Sequence, residues 1–129
     1  CCKHQATIYL STATFLRFCL RKCDKEDFKS LRLLICGAEK LPPALAVEFA
    51  QRFGVMPMEG YGCTELSPVV STNLADQPLA GLTEGFNRIG TVGAAVPGVA
   101  ARTADPDTLA PLPLGSEGVL LIKGANVME

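Results

Sequence analysis

No apolar run in this chain is long enough to cross a bilayer. The longest, such as Leu33-Leu34-Ile35-Cys36, fall far short of the ~20 residues that a spanning helix needs. A basic stripe is missing too. Lys and Arg number 12 against 13 Asp and Glu, for a formal net charge of −1, and the signs are mixed, which argues against a nucleic-acid partner. The first residues lack the charged-then-apolar layout of a secretion signal, and no lipidation motif stands out. Cys1 and Cys2 with His4 form the one metal-like cluster, and it lacks the paired spacing of a zinc finger or ribbon. There is no internal repeat and no low-complexity tract.

What is present is a chain of 129 residues, 48% hydrophobic, the size of one ordinary domain with a real core. Six cysteines are spread through it. Cys19, Cys23, Cys36 and Cys63 fall in apolar or motif segments, where cysteine acts as a small hydrophobe, so reduced structural thiols and a cytoplasmic setting are expected. The chain opens close to an apolar segment and stops directly after Ala125-Asn126-Val127-Met128, as a piece of a longer protein would.

Ala6 to Leu10 is β-branched and aromatic and reads as a strand. Ser11 or Thr12 then caps a helix whose Phe15, Leu16, Cys19, Leu20 and Cys23 recur at helical spacing. Asp24 to Asp27 is a solvated turn. Leu31 to Cys36 predicts a second strand, apolar enough to be covered on both faces. Pro42-Pro43 opens a second helix with an Ala46, Phe49, Ala50, Phe53 stripe and a Glu48–Arg52 surface pair, and Gly54 ends it. Val55 to Glu59 is a third strand that runs into a glycine turn. Strand–helix–strand–helix–strand implies an α/β fold with a partial doubly wound parallel sheet over residues 1–73. Ala75 to Arg88 reads as a loop. Strand-like Val99 to Thr103 and Val119 to Lys123 then make 74–129 a small antiparallel β-subdomain.

In a parallel sheet, ligands bind beyond the carboxyl ends of strands. Two glycine-bearing segments fall there, Gly37-Ala38-Glu39-Lys40-Leu41 and Glu59-Gly60-Tyr61-Gly62-Cys63-Thr64-Glu65. On neighbouring strands they would form facing walls of one crevice. A planar base would slide between the backbone of Gly37-Ala38-Glu39 and the ring of Tyr61, and a Cβ at either glycine would hold it off the main chain. The Thr64 hydroxyl can donate to a phosphate oxygen. Beside it, the Glu65 carboxylate tolerates phosphate only with a cation between them, a role that suits Mg2+. Read without context, the glycines are equally ordinary strand-to-helix turns, and Thr64 with Glu65 an ordinary helix cap.

Residues 31–41 and 59–70 together resemble the adenylate-forming superfamily: acyl-CoA synthetases, luciferases and the adenylation domains of peptide synthetases. The nearest likeness is to acyl-acyl-carrier-protein synthetases joined to 2-acylglycerophosphoethanolamine acyltransferases. Thr12-Ala13-Thr14-Phe15-Leu16 is similar to the upstream segment of that branch, with Ala13 where a proline is usual. Gly90-Thr91-Val92-Gly93, Val96-Pro97-Gly98-Val99 and the segment 117–124 resemble its downstream core motifs, so nearly the whole chain is covered. The resemblance implies ATP and Mg2+ as cofactors, with a fatty acid and either acyl carrier protein or CoA as partners. It assigns Gly37, Ala38 and Glu39 to the adenine and ribose side, and Tyr61 and Gly62 to adenine. Thr64 would touch phosphate and Glu65 the metal, and these two are the catalytic candidates. Cys63 lies between them, near the acyl pocket or simply packed. Lys40 and Lys123 are not the catalytic lysine, which the resemblance places in a small C-terminal domain beyond Glu129.

The family's glycine- and threonine-rich phosphate loop is expected before Cys1, and its ribose-binding aspartate after Glu129. The chain alone is therefore expected to be inactive and to bind ATP weakly. Two other classes compete. One is a nucleotide-binding or assembly module without catalysis. The other is an α/β hydrolase using Ser67 or Cys63 with His4, disfavoured because the turn reads Gly-Cys-Thr-Glu and not glycine-x-serine-x-glycine.

Overall fold

The structure, a computed structural model, describes residues 2–74 and 87–128. The expected loop from Ala75 to Arg88 thus lies almost wholly outside the described residues. Among the described residues, two α-helices and seven strands follow in order: β1 (Ile8–Ser11), α1 (Ala13–Lys22), β2 (Leu33–Cys36), α2 (Pro43–Phe53), β3 (Pro57–Gly62), β4 (Val69–Thr72), β5 (Ala94–Ala95), β6 (Val99–Ala104) and β7 (Val119–Gly124). The first five strands form one sheet in sequence order, and β6 and β7 form a second, two-stranded one. The pairings of β1 with β2 and of β2 with β3 are parallel, whereas β4 and β5 join antiparallel. This is the α/β architecture expected, a parallel sheet with flanking helices and a small antiparallel unit.

Local chemistry sets the helix ends. Thr12 caps α1, its hydroxyl accepting the Phe15 amide at 3.4 Å, and Arg21 and Lys22 sit at the negative end of the helix dipole. Pro43 occupies the first turn of α2, where its missing N–H costs nothing, and Gly54 stops the helix at φ 80°. The expected solvated turn at Asp24 is more ordered than that. It caps a 3-10 turn over Lys25–Phe28, with Asp27 reaching back to the Asp24 amide at 3.0 Å.

Both helices pack on one face of the sheet. Leu16, Leu20, Leu34, Cys36, Phe49 and Phe53 are buried there. Phe28 and Phe49 pack against Phe53 in tilted geometry, each at 4.6 Å between ring centroids, and Tyr9 approaches Phe28 at 6.3 Å. Burying each such ring is worth about 1.5–3 kcal/mol, so this aromatic knot anchors the first half of the fold.

Three expectations need correction. β2 is not covered on both faces: Leu34 and Cys36 are buried, Leu33 and Ile35 only half so, and on the same open side Ile8 and Leu10 of β1 are 60% and 69% exposed. The third strand does not stop at Glu59 before a glycine turn either. It continues through Gly60, Tyr61 and Gly62, because β4 pairs with exactly this stretch and supplies the backbone partners that β2 no longer offers. Among the described residues no ion pair joins Glu48 to Arg52. Arg52 donates to the Cys23 carbonyl at 3.1 Å and lies over the Phe53 ring, since this caps the end of α1 and covers the aromatic knot.

Asn73, 1% exposed, ties the two halves together. Its side-chain amide donates to the carbonyls of Glu59 and Thr91, at 3.1 and 2.6 Å, and its oxygen accepts the Arg88 amide at 2.9 Å. Every polar atom of a buried carboxamide is thus satisfied.

Candidate functional site

The carboxyl ends of β1, β2 and β3 open into a cleft of about 700 Å³ with mostly apolar walls. The parallel arrangement creates it. Each strand ends at the same edge, and the chain then leaves for the covered side, so the edge itself stays vacant. Gly37 and Ala38 supply one wall as β2 ends. Gly60 to Thr64 supply another as β3 runs on.

Five of the seven sequence-derived residues meet here: Gly37, Ala38, Tyr61, Gly62 and Thr64 all line this cleft. Tyr61 is 40% exposed, its ring unclaimed by the core. The left-handed residue of the β2 exit is Ala38, with φ 63°, and not Gly37. A Cβ on Gly37 would stand 3.8 Å from the Gly60 carbonyl, an ordinary contact, so the space Gly37 leaves open faces the cleft. Gly62 differs. A Cβ there would collide with the Pro68 carbonyl, so glycine is required for the bulge where β3 shifts register against β4.

The other two carboxylate-bearing residues do not line the cleft. Glu39 is exposed, and one of its oxygens accepts both the amide and the hydroxyl of Thr14 at 2.9 Å. Those bonds hold its carboxyl below the ordinary value of 4.5. Glu65 sits in a 3-10 turn over Thr64–Leu66, exposed beside the cleft. Its own amide and the Cys63 thiol donate to its carboxylate and lower it, while the same Glu65 contact raises the thiol. A carboxylate has about four lone-pair sites, so two donors leave room for a cation. No group of three or more His, Cys, Asp or Glu suited to a metal occurs among the described residues. A cation here would therefore depend on Glu65 plus oxygens brought by a ligand, an arrangement that suits Mg2+. Cys63 lines the cleft.

Two further walls were not legible as such. Leu10, Ser11, Thr12 and Phe15, where β1 passes into α1, form one. Pro68, Val69, Ser71 and Thr72, around β4, form the other. The Thr12 to Leu16 segment carried a signal through its resemblance. Pro68 to Val70 likewise fell inside the resembling segment 59–70, but Val69-Val70-Ser71-Thr72 is too short to announce β4 as a strand.

Residues 1–129 match the family described as AMP-binding enzyme. The chain is 33% identical over 127 residues to the medium-chain fatty-acid–CoA ligase of Escherichia coli K12, covering 97% of this chain and 21% of that protein. It is 34% identical over 95 residues to the chloroplastic long-chain-fatty-acid–acyl-carrier-protein ligase AEE15 of Arabidopsis thaliana, covering 74% and 12%. The crystal structure of ATP-bound MatB from Rhodopseudomonas palustris superposes with a TM-score of 0.81 at 32% identity, covering 96% and 23%. The chain spans about a fifth of the length of the curated relatives it matches. With the cleft at the strand ends and a family match over its whole length, the chain belongs to the AMP-binding enzymes.

Proposed function

We propose that this chain is the nucleotide-facing part of a larger ATP-dependent acyl-acid ligase. The observation that carries the reading is the single cleft that gathers Gly37, Ala38, Tyr61, Gly62 and Thr64, of a size usual for a small-molecule site. Residues 1–73 would hold the nucleotide, and within 74–129 the β6–β7 pair would belong to a neighbouring β-subdomain, while β5 completes the first sheet. Adenine would lie between the Gly37-Ala38 backbone and the Tyr61 ring, near the main chain of Gly62, with the Glu39 main chain toward the ribose. The Thr64 hydroxyl would donate to phosphate.

In the reaction, a carboxylate oxygen of a fatty acid attacks the α-phosphorus of ATP. The bond to the bridging oxygen breaks, pyrophosphate leaves, and an acyl-adenylate remains. A thiolate then attacks the acyl carbon and AMP departs. Two anions must meet in the first step, so positioned donors and cations dominate catalysis. Mg2+, held by Glu65, would neutralise phosphate charge when bound. Thr64 orients the phosphates, and the apolar walls of the cleft exclude water.

Relatives named for CoA and for acyl carrier protein both occur, so either thiol suits the parent. The likeness to synthetases joined to 2-acylglycerophosphoethanolamine acyltransferases favours acyl carrier protein and a link to lysophospholipid acylation. The parent would then work in the cytoplasm, or at the cytoplasmic face of a membrane through domains outside this chain.

The test is carboxylic-acid-dependent exchange of labelled pyrophosphate into ATP by the full-length protein, across acyl chain lengths. Thr64→Val and Glu65→Gln are each expected to lower the rate about 10²–10³-fold. Separate arms with CoA and holo acyl carrier protein identify the acceptor. ATP binding with no exchange for any acid would favour a nucleotide-binding module without catalysis.

A further inference from the structure

We infer that Asn126, 60 residues beyond Leu66 in sequence, is a positioning residue for Thr64 and Glu65. The inference rests on the ligase reading above only for its kinetic consequences. The turn at the end of β7, closed by the Val127 amide on the Gly124 carbonyl at 3.3 Å, lies against the segment that carries these two residues. The Asn126 side-chain amide donates to the Leu66 carbonyl at 2.7 Å and to the Val69 carbonyl at 3.1 Å. Next to it the Met128 amide donates to the Glu65 carbonyl at 2.9 Å. Three donors from one turn thus grip carbonyls on both sides of Ser67.

That grip matters because Ser67 is left-handed, with φ 49° and ψ 58°. A residue with a Cβ holds such a conformation only when its surroundings impose it. The 3-10 turn over Thr64–Leu66 is only three residues long and has little strength of its own. Both amide protons of Asn126 are engaged, which fixes the orientation of the group. Among the described residues its buried oxygen has no partner. A Cβ added to Gly124 would lie 2.5 Å from that oxygen, 3.0 Å from the Gly98 carbonyl oxygen and 3.2 Å from Val99 Cγ2, so Gly124 leaves room both for the carboxamide to fold back and for the start of β6. A group kept with one end unsatisfied is placed by its donor end, and the donor end holds the loop of Thr64 and Glu65.

The experiment uses Asn126→Leu, which keeps the volume and removes both donors, and Gly124→Ala, which crowds the carboxamide from behind. In the full-length protein, hydrogen exchange at the amides of Leu66 and Ser67 is expected to speed up about tenfold or more in both variants, as loss of a hydrogen-bonded clamp would produce. In the full-length protein the KM for ATP should rise about tenfold and kcat fall, with the KM for the carboxylic acid within about twofold of wild type. Arg102→Ala, exposed on β6, should change neither. Unchanged exchange at Leu66 and Ser67, or a kcat loss with an unchanged KM for ATP, overturns the inference. If Asn126→Leu does not fold, Gly124→Ala alone decides. If wild type shows no acid-dependent pyrophosphate exchange, the ligase reading fails while amide exchange still settles the clamp.

Discussion

Glu39 and Thr14 lie 25 residues apart in sequence, yet one Glu39 oxygen accepts both the amide and the hydroxyl of Thr14 at 2.9 Å. A carboxylate from the exit of β2 thus caps the first turn of α1, where a negative charge meets the positive end of the helix dipole. Those bonds depress the Glu39 carboxyl from its ordinary 4.5. A depressed folded value means that the stabilisation is complete above the unfolded value and is lost as pH falls through the lower, folded one. We expect wild type to outlast Glu39→Gln in urea at pH 7. The gap between their midpoints should close as the pH is taken below 4.5. A gap that widens in acid would contradict the cap.

Two glycines on the cleft wall should behave differently. Gly62→Ala drives a Cβ into the Pro68 backbone and is expected to cost more than about 2 kcal/mol or to prevent folding. Gly37→Ala meets only the Gly60 carbonyl, at 3.8 Å, and should stay within about 0.5 kcal/mol of wild type. Its methyl group fills cleft space, so nucleotide affinity of the full-length protein should fall while stability holds. Urea denaturation and nucleotide titration of the two variants check the contrast.

Asn73→Ala removes three side-chain hydrogen bonds from a site that is 1% exposed and strands the Arg88 amide and the Thr91 carbonyl. A loss of about 2–4 kcal/mol is expected. A midpoint unchanged from wild type would show that Asn73 does not join the two halves.

The thiols should separate by reactivity. Burial above all, with the Glu59 and Glu39 charges, pushes the Cys36 thiol up to about 11, so at pH 8 only about one molecule in 10³ carries the reactive thiolate. Cys63 is exposed, and its thiol is raised chiefly by donating to Glu65. Maleimide labelling with peptide mapping should therefore find Cys63 well ahead of Cys36. Glu65→Gln should label faster at Cys63, because removing the carboxylate releases the thiol. A slower rate in that variant would refute the pairing.

Much of this was readable from the residues. Thr12, Pro43 and Gly54 mark helix ends by chemistry that acts locally, and the apolar stripes of α1 and α2 fix which faces they bury. β6 and β7 announced themselves through turns and apolar patterning. What escaped depends on distant partners. Gly60-Tyr61-Gly62 looks like a turn from its composition, and is a strand because β4 happens to pair with it. The Glu39 and Asn73 contacts likewise join residues far apart in sequence, and no spacing rule reveals them. On the candidate site, the two glycine segments could be brought to one crevice from topology alone. The walls from β1, α1 and β4 needed coordinates.

The early end of β2 has a wider consequence. Pairing with β2 ceases at Cys36 and Glu59, so the stretch from Gly60 onward, paired with β4 along its other edge, borders the cleft with main chain at Gly60 and Gly62. Recognition written in peptide groups is invisible to alanine scanning, since every residue carries the same amide. Backbone ester replacement at Gly60 or Gly62 would expose it. Under the nucleotide reading proposed above, such recognition would persist through wide drift in the surrounding side chains.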